Sequence, residues 1–187
     1  MKVYLDIDGV VRDFMHSVYM AVRLHHPVHR ANREKEDHWD CLADVYPDTP
    51  NIARRVFGGD LCREVYLDAD PYEGAIEAVE QLSQNFDVAF CTSQPTEATK
   101  QFTLEWLERF SLNKLPVIFA NRKEKFPCDV FVEDAPHNLA AIHEAGSTKL
   151  LIRMARPWNV GAHGFAVRNM LEARHMIEKI EWNARQK

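Results

Sequence analysis

No apolar stretch in this sequence is longer than a β-strand, well short of the roughly 20 residues that a membrane-spanning helix needs, so insertion into a membrane is not expected. Paired cysteines are equally absent. Cys41, Cys62, Cys91 and Cys128 are scattered and make no C-x-x-C, which excludes a zinc knuckle or a dithiol redox motif; Cys91, inside an apolar run, reads as a small core residue. There is no long basic run and the formal charge is −5, which argues against a protein that grips extended nucleic acid through many phosphates. No basic stretch, apolar leader core or cleavage site precedes the first strand, and a cytoplasmic location is expected. His25, His26 and His29 have a metal-like spacing but no carboxylate or cysteine placed to complete a site, so they read as a solvated turn around Pro27.

What the chain does have is a composition of 46% hydrophobic and 27% charged residues, that of a folded globular protein with one sizeable core. Its organising stretch is the first thirteen residues. Val3, Tyr4, Leu5 and Ile7 read as a strand that ends in the carboxylates of Asp6 and Asp8, with Gly9 behind them. A turn at Gly9 lets the two carboxylates diverge around one point, where a cation and a phosphate would fit. Aspartate and glycine also gather wherever a strand ends in a solvated turn. Matching elements downstream favour the first reading.

In chain order, Phe14, Val18, Ala21 and Val22 recur at helical spacing, and the segment to Asp70 is polar, proline-bearing and mostly helical. The expected organisation is an α/β core of residues 1–13 and 71–187, with a small helical cap of residues 14–70 inserted after the first strand. A helix opens at Pro71 and Gly74; strands are expected over Asp87–Thr92, Pro116–Ala120, Asp129–Val132 and Lys149–Ile152. Between them lie helices over Glu97–Phe110, with Trp106 on its apolar stripe, and His137–Ala145, closed by Gly146; a last helix is expected over Ala166–Trp182.

Strands that are apolar throughout, alternating with helices, indicate a Rossmann-like parallel sheet covered on both faces. Ligands of such sheets bind outside the carboxyl ends of the strands. The polar residues there are Asp6 and Asp8, Thr92 and Ser93, Asn121 with Lys123 nearby, and Glu133 with Asp134. Hydroxyls and amides bind phosphate oxygens, a lysine adds a point charge, and hard carboxylate oxygens suit Mg²⁺. Each piece alone is commonplace, but their convergence on one sheet edge points to phosphoryl chemistry.

The order D-x-D-G-V-x-x-D, strand-T-S, Lys, strand-E-D resembles the four motifs of the haloacid dehalogenase superfamily of phosphohydrolases, over essentially the whole chain. Within it the chain is most similar to the 5′(3′)-deoxyribonucleotidases, through the stretch from Tyr66 to Ala75, Phe90 to Ser93, Lys123 ten residues before Glu133, and Arg156-Pro157-Trp158-Asn159. The resemblance implies that Asp6 is the nucleophile, forming an aspartyl-phosphate, and that Asp8 is the general acid and base. It implies Mg²⁺ held by the Asp6 carboxylate, the Asp8 carbonyl and Asp134, with Glu133 in support, and a phosphate gripped by Thr92, Ser93 and Lys123. The implied substrate is a nucleoside monophosphate, and a homodimer is a family-based expectation.

Three positions depart from the pattern. Arg12 stands where related enzymes carry a small or apolar residue, and is expected to face solvent rather than reach a phosphate. Glu133 replaces the first aspartate of a common pair, and Ala135 stands where these nucleotidases often carry a basic residue. Trp39, Phe57 and Tyr66 either stack a base or form the cap's own core; Arg156 and Trp158 are candidates for the pocket rim. Competing readings are a phosphatase for another small phosphate or a nucleic-acid 3′-phosphate, and a non-catalytic binding module. Intact Asp6, Asp8, Lys123 and Asp134 count against the last.

Overall fold

The structure, a computed structural model, describes residues 1–185, with side chains to residue 182. Lys2–Leu5 form β1, whose Val3 and Leu5 are fully buried. Beyond the turn, the Asp13 carboxylate accepts the His16 N–H at 3.2 Å and caps α1 (Phe14–His25), which accounts for the last aspartate of the opening motif. Three shorter helices follow, α2 (Leu42–Val45), α3 (Ile52–Gly58) and α4 (Cys62–Tyr66). Pieces this short do not hold helical form alone. They are held by an apolar cluster of their own, in which Val18 and Val22 of α1 meet Val45, Val56 and Val65.

The chain then alternates regularly through α5 (Ala75–Asn85), β2 (Asp87–Thr92), α6 (Glu97–Arg109), β3 (Val117–Phe119) and β4 (Cys128–Glu133). It ends in α7 (Pro136–Ala145), β5 (Thr148–Met154), β6 (Phe165–Val167) and α8 (Met170–Arg185). Thr96 caps α6, its hydroxyl accepting the Thr99 N–H, and Gly146 closes α7 at φ +58°, a left-handed conformation that glycine adopts without strain.

The six strands form one sheet in the order β3-β2-β1-β4-β5-β6, every pairing parallel. Alternate residues divide between its faces. Leu5, Phe90 and Val132 join the cluster that α5, α6 and α8 cover, with Trp106 fully buried in it. Tyr4, Cys91 and Phe131 join the opposite cluster under Leu139 and Ile142 of α7. Because β1 lies between β2 and β4, the connections leave it in opposite directions, and a crevice opens at the carboxyl ends of β1 and β4. Among the described residues no helix is long and apolar enough to cross a membrane.

One element differs from expectation. Ala166 and Val167, expected to begin the last helix, instead lie in an edge strand, Phe165–Val167, paired with Ile152–Met154. β5 runs two residues past its expected end and offers an unpaired edge, which the short Phe-Ala-Val run satisfies. The helical stripe of Met170, Ala173 and Ile177 begins only after it.

Residues 14–70 leave and rejoin the sheet side by side. The Asp13 N–H donates to the Asp70 carbonyl at 3.0 Å, and the Tyr72 N–H to the Val11 carbonyl at 2.9 Å. The Thr96 hydroxyl adds a bond to the Phe57 carbonyl at 3.2 Å. This segment therefore sits over the carboxyl edge of the sheet.

Candidate active site

β1 delivers Asp6 into the crevice. Its N–H donates to the Val132 carbonyl at 2.9 Å, and its Oδ1 accepts the Ile7 N–H at 2.8 Å. The chain then folds tightly, with the Val11 and Arg12 amides on the Ile7 carbonyl at 2.8 and 2.9 Å. Gly9 sits in this turn at φ +72°, and a Cβ there would lie 2.0 Å from Asp134 Oδ2. Any side chain at this point would displace the Asp134 carboxylate and would also be strained by the left-handed backbone.

Carboxylate oxygens of Asp6, Glu133 and Asp134, all buried, lie within 4.8 Å of one another. One cation faces them. Lys123, in a single turn after β3, places Nζ 2.8 Å from Asp6 Oδ2 and 2.6 Å from Glu133 Oε2. Glu133 also accepts the Asp134 and Ala135 amides at 3.0 and 2.9 Å and the Asn138 side chain at 3.3 Å.

The charges sort themselves accordingly. Burial opposes ionisation of Glu133, but Lys123 and the amide bonds outweigh it, and its pKa lies below the ordinary glutamate value. Burial opposes the Lys123 ammonium too, but Asp6 and Glu133 together hold its pKa above the usual lysine range. The other two carboxylates go the opposite way. Burial, reinforced by Glu133, raises Asp6 to about 7 and raises Asp134 well above its ordinary value. One ammonium neutralises one carboxylate, and two remain that ionise readily only if a further positive charge arrives. Asp134 Oδ1 is buried without a hydrogen-bond partner. Hard oxygens, buried excess negative charge and an orphaned carboxylate oxygen together fit a divalent cation such as Mg²⁺.

Asp8 stands apart from this cluster and is held from two sides. Arg12 Nε donates to Oδ1 at 2.6 Å and Gln94 Nε2 to Oδ2 at 2.9 Å. The expectation that Arg12 faces solvent is overturned. It has no exposure, because its guanidinium also donates to the Tyr66 carbonyl and the Thr103 hydroxyl and lies over the Tyr66 and Trp106 rings. Thr92, at the end of β2, accepts from Gln94 at 3.2 Å and keeps its own hydroxyl hydrogen available. The Ser93 hydroxyl is committed to the Ala120 carbonyl at 2.6 Å, which leaves its lone pairs and backbone N–H.

A cavity of about 260 Å³ lies over these groups. Asp6, Asp8, Thr92, Ser93, Lys123 and Asp134 line its floor, and Trp39, Phe57 and Trp158 its walls. Tyr66 touches the cavity yet is 2% exposed and belongs to the apolar cluster of residues 14–66. Arg156 and Asn121 are not in the lining; Arg156 donates to the Gly9 carbonyl at 2.7 Å and lies over the Tyr72 ring, bracing the β1 turn from behind. Glu133 lies beneath the floor, fully buried.

The sequence assigns no role to Gln94, Asn138 or Asn159, although each holds a carboxylate-bearing residue in place. Asn159 donates to the Asp134 carbonyl at 2.7 Å. Gln94 and Asn138 carry no signal but their position shortly after a strand end, where polar residues are common for other reasons, and Asn159 lies in the Arg156–Asn159 stretch already matched, where nothing local marks its role.

The family model described as 5′ nucleotidase, deoxy (pyrimidine), cytosolic type C protein matches residues 1–186. No curated protein matches the sequence. Among solved structures, the fold is similar to the magnesium-bound haloacid dehalogenase-type hydrolase YfnB from Bacillus subtilis, with TM-score 0.63 and 15% identity over 94% of this chain and 97% of that one. L-2-haloacid dehalogenase from Xanthobacter autotrophicus aligns with TM-score 0.63 and 14% identity, covering 95% and 98% of the two chains. The haloacid dehalogenase-like hydrolase SP0104 from Streptococcus pneumoniae aligns with TM-score 0.60 and 12% identity, covering 94% and 97%.

Proposed function

The chain belongs to the family of cytosolic type C 5′ nucleotidases and is a phosphatase of haloacid dehalogenase type, and from that premise we propose that it hydrolyses deoxyribonucleoside monophosphates to nucleoside and phosphate with Mg²⁺. The observation that supports this best is the charge balance of the floor: buried carboxylates of Asp6, Glu133 and Asp134 against the single ammonium of Lys123, beneath a cavity of small-molecule size.

In this reading Mg²⁺ would be held by the Asp6 carboxylate, the Asp8 carbonyl and Asp134, with Glu133 behind them, and would screen the repulsion between Asp6 and a phosphate dianion. Asp6 attacks phosphorus, forming an aspartyl-phosphate as the bond to the ester oxygen breaks. Asp8 gives its proton to that oxygen, then takes one from the water that attacks phosphorus and releases Asp6. Thr92, the Ser93 amide and Lys123 bind the phosphate oxygens, most strongly in the transition state, where charge spreads over them. Residues 14–70 act as a cap on a core of residues 1–13 and 71–187, closing over the nucleoside and excluding water. Trp39, Phe57 and Trp158 then face its sugar and base. A cytoplasmic setting and a small-molecule rather than polymeric substrate belong to the same reading.

The test is phosphate release from deoxy- and ribonucleoside 5′- and 3′-monophosphates, with Mg²⁺ and with chelator, beside Asp6→Asn. Metal-dependent release favouring deoxynucleotides and absent from the variant is the expected result. Turnover of sugar phosphates alone would leave the phosphatase and remove the nucleotide substrate.

A further inference from the structure

Trp158 lies in the single turn Pro157–Asn159 that follows β5, half-buried between two parts of the molecule. On one side its indole N–H donates to Asp134 Oδ2 at 3.1 Å. Its neighbour Asn159, 2% exposed, donates to the Asp134 carbonyl at 2.7 Å and to the Met154 carbonyl at 2.9 Å. Asn159 is itself fixed, its Oδ1 accepting from Arg153 at 3.2 Å and from the Arg156 N–H at 3.0 Å. The turn thus grips Asp134 at backbone and side chain together. With Oδ2 taken by the indole, Oδ1 is the buried oxygen left without a partner.

On its other side the indole packs against the apolar cluster of residues 14–66. Trp39, from that segment, meets it edge to face at 6.5 Å between ring centroids, and meets His137 of α7 in the same manner at 5.2 Å. One side chain therefore touches both the segment over the cavity and a carboxylate of its floor.

We infer that Trp158 is a positioning residue: its N–H sets the Asp134 carboxylate so that one oxygen is presented to a divalent cation, and Trp39 seats the indole that does so. The inference rests on the cation reading above. A carboxylate without this bond would rotate, and its affinity for the cation would fall by the cost of fixing it again. Partners behind metal ligands typically contribute about 10- to 100-fold in affinity.

The experiment is calorimetric titration of Mg²⁺ into wild type and Trp158→Phe, with thermal melts of both in chelator. Phenylalanine keeps an aromatic ring in the cluster and removes the donor. We expect Mg²⁺ affinity to fall about tenfold or more, with the chelated melting temperatures within a few degrees. Trp39→Ala, which leaves the N–H but removes the ring that seats it, should give a smaller, severalfold loss. Equal Mg²⁺ affinity in wild type and Trp158→Phe overturns the inference, whether or not the melting temperature drops, since a drop alone marks a packing role. If wild type binds no Mg²⁺, the cation reading falls and this inference with it; if wild type binds Mg²⁺ and only the variant comparison fails, the reading stands alone.

Discussion

Arg12 donates its Nε hydrogen to Asp8 Oδ1 at 2.6 Å from a position with no solvent exposure. The same guanidinium donates to the Tyr66 carbonyl at the end of α4, at 2.7 Å, and to Thr103 on α6, at 3.1 Å. It lies 4.8 Å from the Tyr66 ring and 5.2 Å from the Trp106 ring. The opening turn, the segment over the cavity and a core helix are thus joined through one cation. The carboxylate it holds belongs to Asp8, to which we assign the proton transfers.

Replacing Arg12 should therefore affect both stability and turnover. Arg12→Met keeps the stem but leaves the Tyr66 carbonyl and Asp8 Oδ1 without their Arg12 donor, Gln94 alone remaining on Asp8 Oδ2. Breaking a buried pair costs about 3–5 kcal/mol, and the low end applies because the Asp8 side chain retains 22% exposure. At roughly 2–4 °C per kcal/mol for a chain of this size, Tm should drop by roughly 6–12 °C. Arg12→Lys keeps the charge but not the fork of donors and should recover only part of the loss. Denaturant melts and turnover measured together check this; an unchanged Tm in Arg12→Met would remove the pair's structural role.

Asp6 and Glu133 should behave oppositely when neutralised. Without metal, burial holds Asp6 toward its protonated form, so Asp6→Asn removes little that the chelated fold depends on. Its stability in chelator should match or exceed wild type. Its turnover should fall by about 10⁴-fold or more, as expected for a nucleophile, with no acyl-phosphate trapped on acid quench.

Glu133 is the carboxylate the fold does keep ionised, against Lys123 and two backbone amides. Glu133→Gln leaves the buried ammonium facing an amide and should cost about 3–5 kcal/mol, read from urea or guanidinium midpoints. A variant as stable as wild type would mean that Asp6 alone suffices to hold Lys123.

The legibility of these residues in the sequence followed a physical division. Asp6, Asp8, Thr92, Ser93, Lys123 and Asp134 were readable because a parallel sheet gathers its strand ends at one edge, and strand ends show as apolar runs that stop. The structure places all six on one cavity floor. Arg12 was misread because an arginine beside a turn carries no local mark of burial; only Tyr66, Thr103 and Trp106, remote in sequence, take it inside. Ala166 and Val167 were misread as helix because a strand of three residues, Phe165–Val167, is too short for a period to declare itself, and the free edge of β5 decided its conformation.

Protons and a divalent cation would compete for the same carboxylates. Burial raises Asp6 from an ordinary value near 3.8 to about 7, and Asp134 moves in the same direction. A folded-state pKa above the unfolded one means that the folded protein binds the proton more tightly. The resulting stability is fully present below the unfolded pKa and is lost as pH rises through about 7. In chelator, Asp6 therefore weakens the fold between weakly acidic and weakly basic pH, and Asp134 acts in the same direction. A divalent cation bound at this cluster would take the place of those protons, so its affinity should rise over the same interval and its binding release them. The Mg²⁺-induced increase in Tm should thus be larger at about pH 8 than at about pH 6, in melts that differ only in chelator or Mg²⁺. Wild type and Asp6→Asn should diverge in that pH slope, because the variant has lost the group titrating near 7. An Mg²⁺ effect independent of pH would mean that Asp6 is already ionised at pH 6, and that Lys123 screens it more fully than its bonds to Asp6 and Glu133 imply.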